Sequence, residues 1–252
     1  MWGMTNSKYA IIAGTGMDKL FELQNKQNLK TPYGYALIYS IKDQEDLFFL
    51  PRHGIDYSVP PHKINYRANI FALNTLGIKH VIATNAVGSL RKMLSPGSFV
   101  LPDQAIDFTK SRVSTFFEGE NGNVVFTDVS QPYSKKVRLA ILNASKRLQI
   151  KVYSKGTYIC TEGPRYETPA EIKAFKILGA DIVGMTGVPE VFLAKELDIE
   201  YATVAIITNY AAGIVDNISH NLVLDIMHKS QEKAKTLILE SINVLKESEK
   251  DR

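Results

Sequence analysis

The chain has 252 residues, 45% of them hydrophobic and 22% charged, which is enough apolar material for a sizeable core in one large domain. Thirty Lys and Arg against 26 Asp and Glu leave a net charge of +4 without a clustered basic stripe, which argues against a nucleic-acid-binding face and is compatible with a small anionic substrate. Cys160 is the only cysteine, excluding an intrachain disulfide and a multi-cysteine metal site, and no apolar run is long enough to span a membrane; a cytoplasmic protein is expected.

In chain order, Tyr9-Ala-Ile-Ile-Ala13 reads as a buried strand, too short for a signal-peptide core, running into Gly14-Thr15-Gly16. Leu47 to Leu50 is a second strand, ending at Pro51-Arg52-His53-Gly54. Ile64, Ala68, Phe71, Ala72 and Leu76 have helical spacing and predict a helix over 62–76, closed by Gly77. His80 to Thr84 is a strand followed by Asn85-Ala86-Val87-Gly88, and Ser98 to Leu101 reads as another. Residues 118–131 are polar and turn-rich and read as a surface excursion. Val137, Ala140, Ile141, Ala144 and Leu148 mark a helix over 134–148, and 156–161 is strand-like. Thr168-Pro169-Ala170-Glu171 has the form of a capping box with proline at the first helical position, starting a helix that ends near Gly179. A strand ends at Gly184-Met185-Thr186, another covers 201–208, and a long amphipathic helix covers 222–246. Apolar strands alternating with amphipathic helices indicate an α/β fold.

Small and polar residues follow the strands at Gly14-Thr15-Gly16, Arg52-His53-Gly54, Asn85-Ala86, Thr186-Gly187 and Thr208-Asn209. In α/β sheets such strand ends form the ligand crevice, so five clusters on different strands are expected to meet in one pocket. Gly14-Thr15-Gly16 suits an anion or a plain tight turn; it lacks the third glycine of a dinucleotide fingerprint and the Gly-Lys-Ser/Thr of a P-loop. Arg52 offers the fork geometry that phosphate accepts, beside the titratable His53. Glu167 reads either as compensation of a helix dipole or as a carboxylate accepting a ring N–H, with Tyr166 stacking on the same ligand. Cys160 reads as a buried strand residue and not as a nucleophile.

Six motifs in this order, Gly14-Thr15-Gly16, Arg52-His53-Gly54, Lys63-Ile-Asn-Tyr66, Thr84-Asn-Ala-Val-Gly-Ser89, Glu162-Gly-Pro-Arg-Tyr-Glu-Thr168 and Gly184-Met-Thr-Gly-Val-Pro-Glu190, resemble those of the trimeric purine nucleoside phosphorylase / methylthioadenosine phosphorylase family. The resemblance runs from Ile11 to the C-terminal helix. It implies one nucleoside phosphorylase domain over 1–252, with a central mixed sheet flanked by helices, and a homotrimer. It also implies that phosphate contacts Thr15, Arg52, His53, the Ala86 backbone N–H and Thr186, with Asn85 beside them. Met185 would then pack under the ribose and Tyr166 beside the base, while Phe117 resembles a residue reaching into the neighbouring subunit's site. No metal or organic cofactor is expected, inorganic phosphate being the co-substrate.

Within that family the 6-amino branch reads Thr-Asp-Tyr-Asp at the base pocket, whereas this chain reads Thr208-Asn209-Tyr210-Ala211. One amide both donates to a purine O6 and accepts from N7–H, and Glu167 accepts the N1–H that hypoxanthine and guanine carry and adenine lacks. Asn209, Glu167 and His53 are therefore the expected catalytic residues, with inosine and guanosine as substrates in purine salvage. His220, at the start of the last helix, resembles a 5′-hydroxyl ligand and reads otherwise as a solvent-facing histidine. The alternatives are phosphorolysis of methylthioinosine, less readily of methylthioadenosine, and a non-catalytic purine-binding protein on the same fold.

Overall fold

Five consecutive apolar residues form a strand only where both faces are covered. In the computed structural model Tyr9 to Ala13 belong to β1 (Lys8–Ala13), inside the sheet. Tyr9, Ile11 and Ala13 enter one core; Ala10 and Ile12, on the opposite face, enter the other. The structure describes residues 7–14, 17–119, 122, 124–215 and 220–250, with the backbone alone at 56, 220–225 and 227.

β1 pairs in parallel with β4 (Gln44–Pro51) on one side and β5 (Ile78–Ser89) on the other. Beyond β4 the antiparallel pair β3 (Gly34–Ile41) and β2 (Leu23–Thr31) completes that edge. At β5 the sheet divides. β10 (Ile182–Gly184) enters antiparallel at the end of β5 and leads through β9 (Thr157–Thr161) to β7 (Gln104–Phe108). β11 (Glu200–Tyr210) runs parallel along β5 and leads to β6 (Phe99–Val100) and β8 (Val152–Tyr153). The mixed sheet thus has eleven strands among the described residues.

α1 (Tyr66–Thr75) and α4 (Glu190–Glu196) cover one face through Ile70, Leu73, Val191 and Leu193. α2 (Lys135–Arg147) and α5 (His220–Lys250) cover the other through Ile141, Ala144, Leu237, Ile238 and Leu245. α3 (Pro169–Ile177) closes a smaller third core, and the Thr168–Glu171 capping box is formed in both directions. No helix of the described residues is long and apolar enough to cross a membrane.

Several boundaries differ from the sequence expectation. α1 begins at Tyr66 and not at His62, because Asn65 caps it by accepting the Ala68 N–H while Pro61–Lys63 form a separate 3-10 turn. β5 continues through Asn85, Ala86 and Gly88 to Ser89, since β11 and then β10 pair with that stretch. Those residues lie inside a strand and not beyond one. β11 likewise runs on to Tyr210, with one extra residue at Thr208 between the pairs Ile207–Val87 and Asn209–Gly88. β2 escapes sequence reading because it is a polar edge strand whose only buried residue is Thr31.

Candidate active site

The polar clusters meet. A cavity of about 390 Å³ is lined by Gly14, Arg52, His53, Asn85, Ala86, Met185, Thr186 and Asn209, together with Tyr57, Tyr166 and Glu167. That volume suits a nucleoside-sized ligand. β1, β4, β5 and β11 are parallel and deliver their carboxyl ends to the cavity. β10 runs back along the end of β5, which brings Met185 and Thr186 beside Ala86 and Asn85. Ala86 is the one exposed residue between His80 and Ser89, so β5 opens to the cavity at that backbone position.

Arg52 is fully buried and paired with an acid that sequence reasoning had not singled out. Its Nε and Nη2 donate to the two carboxylate oxygens of Glu190, each at 2.7 Å, and Nη1 donates to the Thr84 carbonyl at 2.9 Å. Burial opposes the Arg52 charge, but the Glu190 carboxylate outweighs it and holds the pKa above its ordinary value. A guanidinium has five N–H donors. The three contacts fix its plane and leave one N–H on each terminal nitrogen. Tyr201 also donates to Glu190, at 2.6 Å. Behind Thr186, Thr203 Oγ1 donates to Asn85 Oδ1 at 2.6 Å and Asn85 Nδ2 donates to Thr186 Oγ1 at 2.7 Å. The Asn85 amide is thus engaged within the protein and directs Thr186, whose own hydroxyl hydrogen points elsewhere.

His53 Nδ1 lies 2.8 Å from the Val59 carbonyl, an acceptor, so Nδ1 carries the hydrogen and Nε2 a lone pair. Burial, with the neighbouring Arg52 charge, lowers its pKa to about 4, and Tyr57 stacks on the ring at 4.1 Å. A neutral buried imidazole makes stability depend on pH. The unfolded histidine takes up a proton near pH 6.5 and the folded one near 4, so the unfolded chain binds more protons between those values. Stability is complete above that window and falls as pH drops through it, by up to about 3 kcal/mol. His80, also lowered by burial, acts in the same direction. Thermal melts from about pH 7.5 to about pH 4.5 should show this loss, with a shallower slope in His53→Asn; equal slopes would remove His53 as its cause.

At the base end, Glu167 is half-buried and accepts a 2.7 Å hydrogen bond from Thr161 Oγ1. Burial raises its pKa above the usual carboxylate range, and the Thr161 bond opposes that rise. The extra residue at Thr208 is a bulge, a device that re-aims side chains. Thr208 Oγ1 donates to Asn209 Oδ1 at 2.8 Å and Asn209 Nδ2 donates to the Tyr210 carbonyl at 2.8 Å. One lone pair and one N–H of the amide remain for a ligand. Gly163 has φ +66°, and a Cβ there would come within 2.7 Å of Met185 Sδ, so glycine is required where the two loops meet.

Two further residues were missed. Arg112 lies in an irregular segment and is almost wholly buried, donating to the carbonyls of Glu162 and Met185 at 2.8 Å and of Val188 at 2.6 Å. It ties together the loops that carry Glu167 and Thr186. Tyr57 follows the Arg52-His53-Gly54 motif without any local pattern to mark it. Cys160 is buried, which lifts its thiol pKa to about 11 and leaves it inert. Phe117 does not line its own chain's cavity. Thr15 and the His220 side chain lie outside the described residues.

Comparison with known proteins places nearly the whole chain in one family. Residues 8–243 match the model of the phosphorylase superfamily. A 6-oxopurine nucleoside phosphorylase of Pyrococcus furiosus is 47% identical over 94% of this chain and 93% of its own length. A probable 6-oxopurine nucleoside phosphorylase of Dictyoglomus turgidum is 49% identical over 91% and 89%. Among solved structures, a methylthioadenosine phosphorylase from Schistosoma mansoni in complex with adenine superposes with a TM-score of 0.89 at 32% identity, covering 95% of this chain and 92% of that one. With the family model spanning nearly the whole chain and the strand ends converging on one polar-ended cavity, the chain belongs to the phosphorylase superfamily.

Proposed function

We propose that the chain is a purine nucleoside phosphorylase that cleaves inosine and guanosine with phosphate, giving the free 6-oxopurine and ribose 1-phosphate. The observation that carries this is the pairing of Glu167 with Asn209 in a cavity that also holds Arg52, His53 and Thr186. Glu167 accepts N1–H. Asn209 donates through Nδ2 to O6 as negative charge builds on the departing purine, and its Oδ1 accepts N7–H once the ring gains a proton. The 6-oxopurine relatives named above support this reading.

Arg52, Thr186 and the Ala86 N–H hold the phosphate beneath C1′, joined by Thr15. A phosphate oxygen bonds to C1′ as the C1′–N9 bond breaks, with its electron pair leaving on the purine. The hydroxyl of hydrogen phosphate donates a hydrogen bond to the free lone pair of His53 Nε2, the proton it sheds passes to solvent, and the purine takes its proton from solvent. Met185 supports the ribose, Tyr166 flanks the base and His220 binds the 5′-hydroxyl. Catalysis is then positioning and preorganised electrostatics, and this chemistry calls on no metal or organic cofactor. A cytoplasmic homotrimer belongs to the same proposal, with Phe117 entering a neighbouring subunit's cavity.

The test is incubation of the purified protein with inosine, with and without phosphate. Hypoxanthine and ribose 1-phosphate should appear together, and only with phosphate. Purine binding without release of base would make the chain a binding protein, and release without phosphate would make it a hydrolase.

A further inference from the structure

Glu167 lies beside the end of a strand that is paired on both sides. Thr161 is the last residue of β9, which is paired on both sides, with β10 and with β7. Its Oγ1 is 2.7 Å from Glu167 Oε1 and 3.4 Å from the Gly184 carbonyl, so the carboxylate is the closer acceptor. Glu167 itself sits in the turn before α3, whose start is held by the Thr168–Glu171 capping box. The backbone on both sides is therefore fixed, and the Thr161 hydroxyl, with the backbone N–H of Glu167 itself, sets the direction of the carboxylate.

The protonation of Glu167 decides which purine it recognises. A carboxylate accepts the N1–H of a 6-oxopurine and meets the N1 lone pair of a 6-aminopurine with repulsion. A neutral carboxyl group does the reverse, because it donates to a bare N1. We propose that Thr161 is a specificity-determining positioning residue, whose hydroxyl occupies Glu167 Oε1 and leaves Oε2 facing the N1 edge of the purine as an acceptor. This rests on the base assignment above. A hydrogen bond to the charged form also offsets the burial that favours the neutral carboxyl. Around Glu167, Arg165 and Glu171 are paired with each other at 2.7 Å. Among the described residues, the other titratable groups lining the cavity are Arg52, His53, Tyr57 and Tyr166. His53 is neutral above about pH 4 and Arg52 keeps its charge against Glu190.

The experiment compares pH profiles of kcat/KM for inosine and adenosine in wild type, Thr161→Val, Thr161→Ser and Glu167→Gln. In Thr161→Val the acid limb for inosine should move up by about one pH unit and the inosine-to-adenosine ratio near neutral pH should fall on the order of tenfold. Thr161→Ser, which restores the hydroxyl, should return both to wild type. Should Thr161→Val not fold, Thr161→Ala gives the same readout. An unmoved limb and ratio in the hydroxyl-free variant, with Glu167→Gln inactive on inosine, would overturn the role of Thr161 and keep the base assignment. Undiminished inosine cleavage by Glu167→Gln would overturn both.

Discussion

Asn209→Ala should lower kcat for inosine by on the order of 10² to 10³, with the KM for phosphate within about twofold of wild type. The expectation follows from what the amide has left to offer. Thr208 and the Tyr210 carbonyl each take one of its hydrogen-bonding positions, which fixes its orientation before a ligand arrives. The remaining N–H and lone pair match O6 and N7–H of a departing 6-oxopurine. Charge accumulates there only as the glycosidic bond breaks, so the contact stabilises the transition state more than the bound nucleoside. The proposed phosphate ligands Arg52, Ala86 and Thr186 follow β4, lie in β5 and follow β10, and none of them shares a hydrogen bond with this amide. A kcat within a factor of a few of wild type would show that leaving-group stabilisation lies elsewhere.

Glu190→Ala should be costly in a different way. Both side chains of the Arg52–Glu190 pair have no solvent exposure, and the pairing is bidentate. Removing the acid leaves a buried cation with one carbonyl partner, a change that costs about 3–5 kcal/mol and lowers Tm by roughly 10 °C for a chain of this size. It also frees the guanidinium to rotate, so the KM for phosphate should rise. Phosphate should accordingly raise the Tm of Glu190→Ala less than that of wild type, because a more weakly held anion stabilises the folded state less. An unchanged Tm would mean that Arg52 finds another partner, and equal phosphate effects would remove Arg52 from the anion site.

What the sequence made legible follows from where each signal resides. β1, α2 and the capped start of α3 declare themselves through local pattern: an apolar run, a helical stripe, a capping box. The cavity was legible as position, because polar residues after strands converge in an α/β sheet whatever their identity. Glu190 stood in a recognised motif, but its role depends on Arg52, 138 residues earlier in the chain. Arg112 has no local signal; only the fold brings the carbonyls of Thr161, Glu162, Met185 and Val188 to its guanidinium. The bulge at Thr208 was equally invisible, since an added residue shows only against the register of its partner strand. The extent of β5 was missed because Asn85 and Gly88 are poor strand formers by themselves and stay extended only through pairing with β10 and β11.

In the proposed function Glu167 and Asn209 together select a 6-oxopurine. Its most direct test is kcat/KM with phosphate for inosine, guanosine, methylthioinosine and methylthioadenosine, measured side by side. Inosine and guanosine should exceed methylthioadenosine by on the order of 10³ or more, the penalty for leaving buried polar groups unmatched. Methylthioinosine ahead of inosine would keep the base assignment and remove His220 as a 5′-hydroxyl ligand. Methylthioadenosine as the preferred substrate would mean that Glu167 and Asn209 do not select a 6-oxopurine.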